Sequence, residues 1–270
     1  MIGIFDSGLG GLTILREIER ALPQYSYRYL GDNARAPYGS RDPKDIAAFT
    51  REGVAWLFGR GAELTILACN TASAVALRDI QREWLPVHFP ERRVLGIVVP
   101  TVEVIPSLTR TGVVGVLGTE ATITSGVYPR EVAKIDSRVT VVQQACPQLA
   151  QCIESGVTDE RTIGPLAERY LGELFHKNDK VDTILLGCTH YPVLEEHITA
   201  VLPAGVWVVS QGTLVAERLK DYLARHPEVE QRLEKGSARE CFTTGDPAEV
   251  GTHATVVYGS PVKFQRAVLR

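Results

Sequence analysis

Two stretches of this chain share one build, and that repetition constrains the fold more than any other feature. Residues 64–74 read LTILACNTASA and residues 183–194 read TILLGCTHYPVL. Each has an aliphatic run, a small residue, a cysteine, and then hydrogen-bonding residues where a helix is expected to start. A short continuous apolar run bounded by turn chemistry fits a strand buried on both faces. Strands of that kind lie in parallel sheets covered by helices on both sides. Two thiols therefore sit at the mouths of two similar strand-to-helix junctions.

The same alternation runs through the rest of the chain. A strand is predicted over residues 2–5, then a polar glycine-rich turn over 6–11. The helix after it has Leu12, Leu15, Ile18 and Leu22 along one face and stops at Pro23. Further strands are predicted over 25–30, 94–99, 112–117, 139–143 and 206–209, with a late one closed by residues 241–245. Asp42-Pro43 marks a helix start, an N-cap followed by proline at the first helical position. Ile163, Leu166, Ala167, Tyr170, Leu171 and Leu174 mark the clearest amphipathic helix. Residues 228–235 read as a charged, exposed segment. Pro100 and Pro106 break the pattern after the strand ending at 99, which places a domain boundary near residue 95. The fold class expected is α/β: two similar parallel-sheet domains with the active site in the cleft between them.

Bulk properties narrow the function. A net charge of −3 carries no nucleic-acid footprint, and no apolar run is long enough to cross a bilayer. The opening residues, MIGIFDSG, lack the basic region, apolar segment and cleavage site of an export signal. The five cysteines are odd in number and include no CxxC pair, so no disulfide framework is expected. A reducing cytoplasm is the expected setting.

In open α/β sheets, ligands bind beyond the C-terminal ends of the strands. Asp6, Asp32, Cys69, Thr119, Cys146 and Cys188 all fall at such ends. A free cysteine alone is ordinarily a small core residue. Cys69 and Cys188 are a pair, each expected just before a helix whose N–H groups favour a thiolate. Two thiols without a disulfide suit inversion of a carbon centre without a cofactor. One base removes the α-proton from one face, and a conjugate acid on the opposite face returns a proton. The carbanion-like charge then needs fixed donors and exclusion of water.

The segments FDSGLGGLT, ARAPYGS, ACNTASA and LGCTHYP, in this order, resemble the signatures of glutamate racemase. That family belongs to the cofactor-independent aspartate/glutamate racemase superfamily. The resemblance implies a second domain, 96–207, inserted within a first, 1–95 plus 208–270. It implies L- to D-glutamate racemisation for peptidoglycan synthesis by a homodimer, with no cofactor and no metal. Cys69 and Cys188 would be the paired acid and base. Asp6 and Ser7 match the DSG motif and would meet the substrate, with Asp6 assisting Cys69, although Asp-Ser-Gly is also a common turn cap. Tyr38 and Gly39 match the PYG loop and would contact substrate through backbone and hydroxyl. Asn70, Thr71 and Thr189 would hydrogen-bond the substrate carboxylates, a role compatible with helix capping. His190 could orient Cys188, hold it as thiolate or exchange its proton. Glu154 matches a family glutamate near the second cysteine, and Thr119 would line the site. Ser210-Gln211-Gly212 departs from the Asp-Ser pair of many relatives and reads as a peripheral loop.

Other readings use the same residues. Aspartate racemase would need only a different side-chain pocket. Gly8 to Gly11 faintly resembles a phosphate loop but lacks GK[ST]. Cys69, Cys188 and His190 are acceptable zinc ligands. A two-lobed binding protein without catalysis would tolerate loss of either cysteine.

Overall fold

The computed structural model describes residues 1–269. Its strands are β1 (Ile2–Asp6), β2 (Tyr27–Gly31), β3 (Leu64–Leu67), β4 (Arg93–Gly96), β5 (Val113–Gly118), β6 (Thr140–Ala145), β7 (Thr183–Gly187), β8 (Trp207–Val209), β9 (Arg239–Thr243) and β10 (Phe264–Arg266). They form a 6-stranded sheet, β10-β9-β2-β1-β3-β4, and a 4-stranded sheet, β6-β5-β7-β8. Every pairing is parallel. The order β2-β1-β3-β4 repeats as β6-β5-β7-β8, so β3 and β7 hold equivalent places. In each sheet the strand order reverses at one crevice, between β1 and β3 and between β5 and β7. That reversal is where open α/β sheets take ligands. The fold class read from the sequence is therefore the one observed.

The central strands are apolar because both faces are covered. Every residue of β1, β3, β5 and β7 is buried. The helix α1 (Gly11–Ala21) turns Leu12, Ile14, Leu15 and Ile18 inward. The helix α2 (Pro43–Gly59) begins as its sequence predicts, with the Asp42 carboxylate accepting the Lys44 N–H at 2.8 Å. The helix α3 (Asn70–Val75) starts directly after Cys69. Among the described residues no helix is long and apolar enough to cross a membrane.

Three local expectations need correction. The strand predicted over 94–99 ends at Gly96, and Val98–Val102 is helical. A short apolar run does not distinguish a strand from a buried helical turn. Pro100 and Pro106 sit in the first turns of helices Val98–Val102 and Ile105–Leu108, where a missing N–H costs nothing. Residues 228–235 carry two buried anchors, Val229 and Leu233, among their charges. The helix Pro247–Tyr258, capped by Asp246, and β10 had no counterpart in the sequence reading.

The chain leaves the first sheet after β4 and returns after β8, which still pairs with β7. The helix Gly212–Arg225 then packs along α1. Replacing Asp42 with Ala should lower stability by about 1 kcal/mol. Denaturant unfolding would measure it, and an unchanged midpoint would refute the capping role.

Candidate active site

Each crevice delivers one thiol. Cys69 follows β3 and caps α3, its Sγ accepting the Ala72 N–H at 3.4 Å. The β1 loop brings Ser7 Oγ to 3.4 Å from the same sulfur. Asp6, at the end of β1, is fully buried and accepts the Gly8 N–H at 2.8 Å. Cys188 follows β7 but does not open a helix directly. A tight 3-10 turn, Tyr191–Leu194, intervenes before the helix Glu195–Ala200. The helix-terminus argument for this thiol is therefore replaced by a side-chain partner: His190 Nδ1 lies 3.6 Å from Cys188 Sγ.

His190 joins the second thiol to a carboxylate. Its Nε2 is 2.5 Å from Glu154 Oε1, at the end of the helix Pro147–Glu154. Glu154 also accepts the Leu9 N–H at 2.8 Å and the Asn33 amide at 3.5 Å, both from the first-sheet side. Thr189 Oγ1 donates to Asp6 Oδ1 at 3.3 Å, and Thr13 Oγ1 reaches the Thr189 carbonyl at 3.0 Å. The loop after β1 thus touches both thiol sites. Its glycines allow this: a Cβ on Gly8 would lie 1.9 Å from Glu154 Oε1, and one on Gly10 would lie 2.6 Å from His190 Nδ1. That close packing accounts for the glycine-rich turn.

Threonines bridge the two sheets' loops. Thr71 Oγ1 lies 2.8 Å from Thr119 Oγ1 and 3.2 Å from Thr122 Oγ1. Gly39 packs on Thr119, where a Cβ would meet the threonine Cβ at 2.6 Å. A cleft of about 440 Å³ opens there, lined by Gly39, Ser40, Arg41, Glu120 and Ser125 among others. Both cysteines are only 5% exposed, so the crevice is nearly shut. Another cavity, of about 240 Å³, is lined by residues such as Ile66, Leu95 and Tyr222 and contains none of these site residues.

A family model for Asp/Glu/Hydantoin racemase matches residues 2–219. A glutamate racemase of Paracoccus denitrificans is 40% identical over 276 residues, spanning 98% of this chain and 99% of the relative. One from Ruegeria pomeroyi is 41% identical over 277 residues, with the same coverage. A glutamate racemase isoform of Bacillus anthracis superposes with a TM-score of 0.89 at 32% identity, over 100% of this chain and 97% of its own. The Francisella tularensis glutamate racemase, solved with D-glutamate, gives a TM-score of 0.86 at 27% identity, over 100% and 97%. The chain belongs to the glutamate racemase family.

Electrostatics separate the two halves of this candidate site. Burial pushes the Cys69 thiol up to about 12, and the nearby Asp6 charge adds to the shift. Burial also raises Asp6, against the pull of His190 and the Gly8 N–H. For His190, burial alone would lower the value, but hydrogen bonds to Cys188 and Glu154 carry it well above the usual imidazole range. For Glu154 burial pushes upward, and the His190 and Leu9 contacts outweigh it, leaving the carboxyl below its ordinary value. At neutral pH the pair is thus imidazolium and carboxylate.

Several residues expected at the substrate are committed elsewhere in this arrangement. The Tyr38 hydroxyl donates to Asp32 Oδ2 at 2.5 Å, so its ring supports the loop, and its backbone is what remains for a ligand. Asp32 also binds Arg35 Nε and Thr244 Oγ1, both at 2.7 Å, acting as a buried anchor. Both polar atoms of Asn70 are bonded, to Gln211 and to Tyr128, which leaves one of its two amide protons for a ligand. Gln211, read as peripheral, is buried beside Asn70. Its partners are distant in sequence, so no local signal marks it. Among the described residues no group of three or more His, Cys, Asp or Glu is arranged to hold a metal ion.

The pair has a defined pH signature. The raised His190 value stabilises the fold fully below about 6.5, the ordinary histidine value, and that contribution disappears as pH rises through its folded value. The lowered Glu154 value stabilises above about 4.3, the ordinary glutamate value, and is lost as pH falls through its folded value. Glu154→Gln should bring the His190 titration down, as followed by imidazole NMR. An unmoved titration would show that Glu154 does not hold the proton there.

Proposed function

We propose that this chain interconverts L- and D-glutamate with two thiols, one removing the α-proton and the other donating its own proton to the opposite face, with no cofactor. The observation that carries the proposal is the pairing itself: Cys69 with Ser7 and Asp6 at one crevice, Cys188 with His190 and Glu154 at the equivalent one. Glutamate is the substrate suggested by the relatives' names and by the D-glutamate held in the Francisella tularensis structure.

To deprotonate L-glutamate the scheme needs Cys188 as the thiolate, with His190 Nδ1 beside it, and Cys69 as the thiol. Burial and the Asp6 carboxylate keep the proton on Cys69. Cys188 takes the α-proton, and the electron pair of the broken C–H bond is delocalised into the substrate carboxylate. Cys69 then gives its proton to the opposite face. The reaction ends with Cys188 as thiol and Cys69 as thiolate, and proton exchange with solvent restores the start. Asp6 assists at Cys69, and His190 with Glu154 at Cys188. Ser7, Thr71, Thr119, Thr189 and the Tyr38-Gly39 backbone, with Asn70, surround the substrate. Exclusion of water by the closing crevice raises the worth of each fixed donor.

The lobes of this scheme are residues 1–95 with 208–270, and 96–207. The supply of D-glutamate for peptidoglycan, the cytoplasmic setting and a homodimer belong to the proposal through the family resemblance.

Cys69→Ala and Cys188→Ala should each lower turnover of L-glutamate by about 10²–10⁴-fold, the usual contribution of a positioned acid or base. Chiral chromatography gives the rate, and circular dichroism confirms the fold. Cys241→Ser should keep nearly full activity. Full turnover by either alanine variant would end the two-thiol mechanism. Conversion of L-aspartate in place of L-glutamate would keep the mechanism and change the substrate.

A further inference from the structure

Gln211 lies where the chain returns from the second sheet to the first. It is on a connection, yet only 2% of it is exposed. Its Oε1 accepts from Asn70 Nδ2 at 2.7 Å. Its Nε2 donates to Thr101 Oγ1 at 2.9 Å and to the Tyr128 hydroxyl at 3.1 Å. Tyr128 in turn donates to Asn70 Oδ1 at 2.5 Å. All four side chains are buried.

The direction of every bond in this network follows from one fixed acceptor. Thr101 Oγ1 donates to the Ile97 carbonyl at 2.7 Å, and a hydroxyl has one proton to give. Thr101 must therefore accept from Gln211, which identifies Nε2 as the amide nitrogen. Both Nε2 protons are then used, one on Thr101 and one on Tyr128. Tyr128 accepts that proton and spends its own on Asn70 Oδ1. Asn70 Nδ2 gives one proton to Gln211 Oε1 and keeps one. The network thus sets the orientation of the Asn70 amide and leaves a single free N–H on the residue that follows Cys69.

The four residues also come from four separate parts of the chain. Asn70 opens α3 after the first cysteine strand. Tyr128 lies in the helix Val127–Ile135, packed on the second sheet. Thr101 is on the outgoing crossing, in the helix Val98–Val102, and Gln211 is on the returning one. One buried amide therefore ties both crossings to a residue next to a reacting thiol.

We infer that Gln211 is a positioning residue for racemisation: it holds the Asn70 amide so that its free N–H meets a substrate carboxylate, and it fixes both crossings around that geometry. The inference rests on the racemase reading above. Leucine at 211 has a similar volume and no polar atoms, so Gln211→Leu leaves Asn70 Nδ2 without its partner and the amide held by Tyr128 alone. It should lower kcat/KM for L-glutamate by about 10–100-fold, the range for a hydrogen bond to a charged group. Most of the change should be in KM, because the carboxylate is already bound in the ground state.

The decisive test is a double-mutant cycle with Asn70→Ala on the full-length protein. If Gln211 acts through Asn70, the double variant should be no slower than Asn70→Ala alone, within about twofold. Multiplying losses would overturn the inference, as would unchanged kinetics in Gln211→Leu. Circular dichroism and thermal unfolding check the fold. If Gln211→Leu does not fold, Tyr128→Phe with Asn70→Ala reads the same coupling through the other bond, and multiplying losses there would overturn it equally. A wild-type protein without activity on L-glutamate would instead overturn the racemase reading, and the inference with it.

Discussion

The run of contacts from the Leu9 N–H through Glu154 and His190 to Cys188 is the constraint on which the site depends. A largely buried carboxylate is costly unless it is paired and hydrogen-bonded. Glu154 meets that requirement with an imidazole from its own half and a main-chain N–H from the other. The β1 loop must therefore lie directly against the second lobe. Only residues without a Cβ fit there, which explains Gly8 and Gly10 better than any phosphate does. The same contact closes the crevice and sets the charge next to Cys188.

The two thiols occupy equivalent places but different environments. β3 and β7 have the same rank in their sheets, and each ends in a cysteine. Beyond that point the symmetry stops. Cys69 faces a hydroxyl, a main-chain N–H and the charge of Asp6, so its proton is held. Cys188 faces an imidazole kept protonated by a carboxylate. In the proposed mechanism this difference gives one acid and one base at rest from two residues of one kind. The reverse reaction exchanges their roles without new apparatus.

Much of this was legible in the sequence because it is local. An aliphatic run ending in Cys and a polar pair identifies a strand and its loop, and two copies identify two lobes. The Asp42-Pro43 cap was readable for the same reason. What was missed depends on tertiary partners or on short ambiguous runs. Val98 and Val99 look like strand but turn helical once Gly96 ends the pairing. The turn after Cys188 is 3-10, which removes the expected helix terminus and gives its place to His190. Gln211 reads as an ordinary loop residue, because its partners at 70, 101 and 128 meet it only in the folded chain.

The central claim, that two thiols serve opposite faces of one carbon, is tested most directly by isotope placement. L-Glutamate would be incubated in deuterated water with the wild-type protein, stopped early, and both enantiomers analysed by mass spectrometry. The account predicts α-deuterium in the D-glutamate formed and protium in the L-glutamate remaining. Each base handles one enantiomer, and only the product receives its proton from the solvent-equilibrated thiol. Equal labelling of both enantiomers from the outset, or product without deuterium, would contradict it.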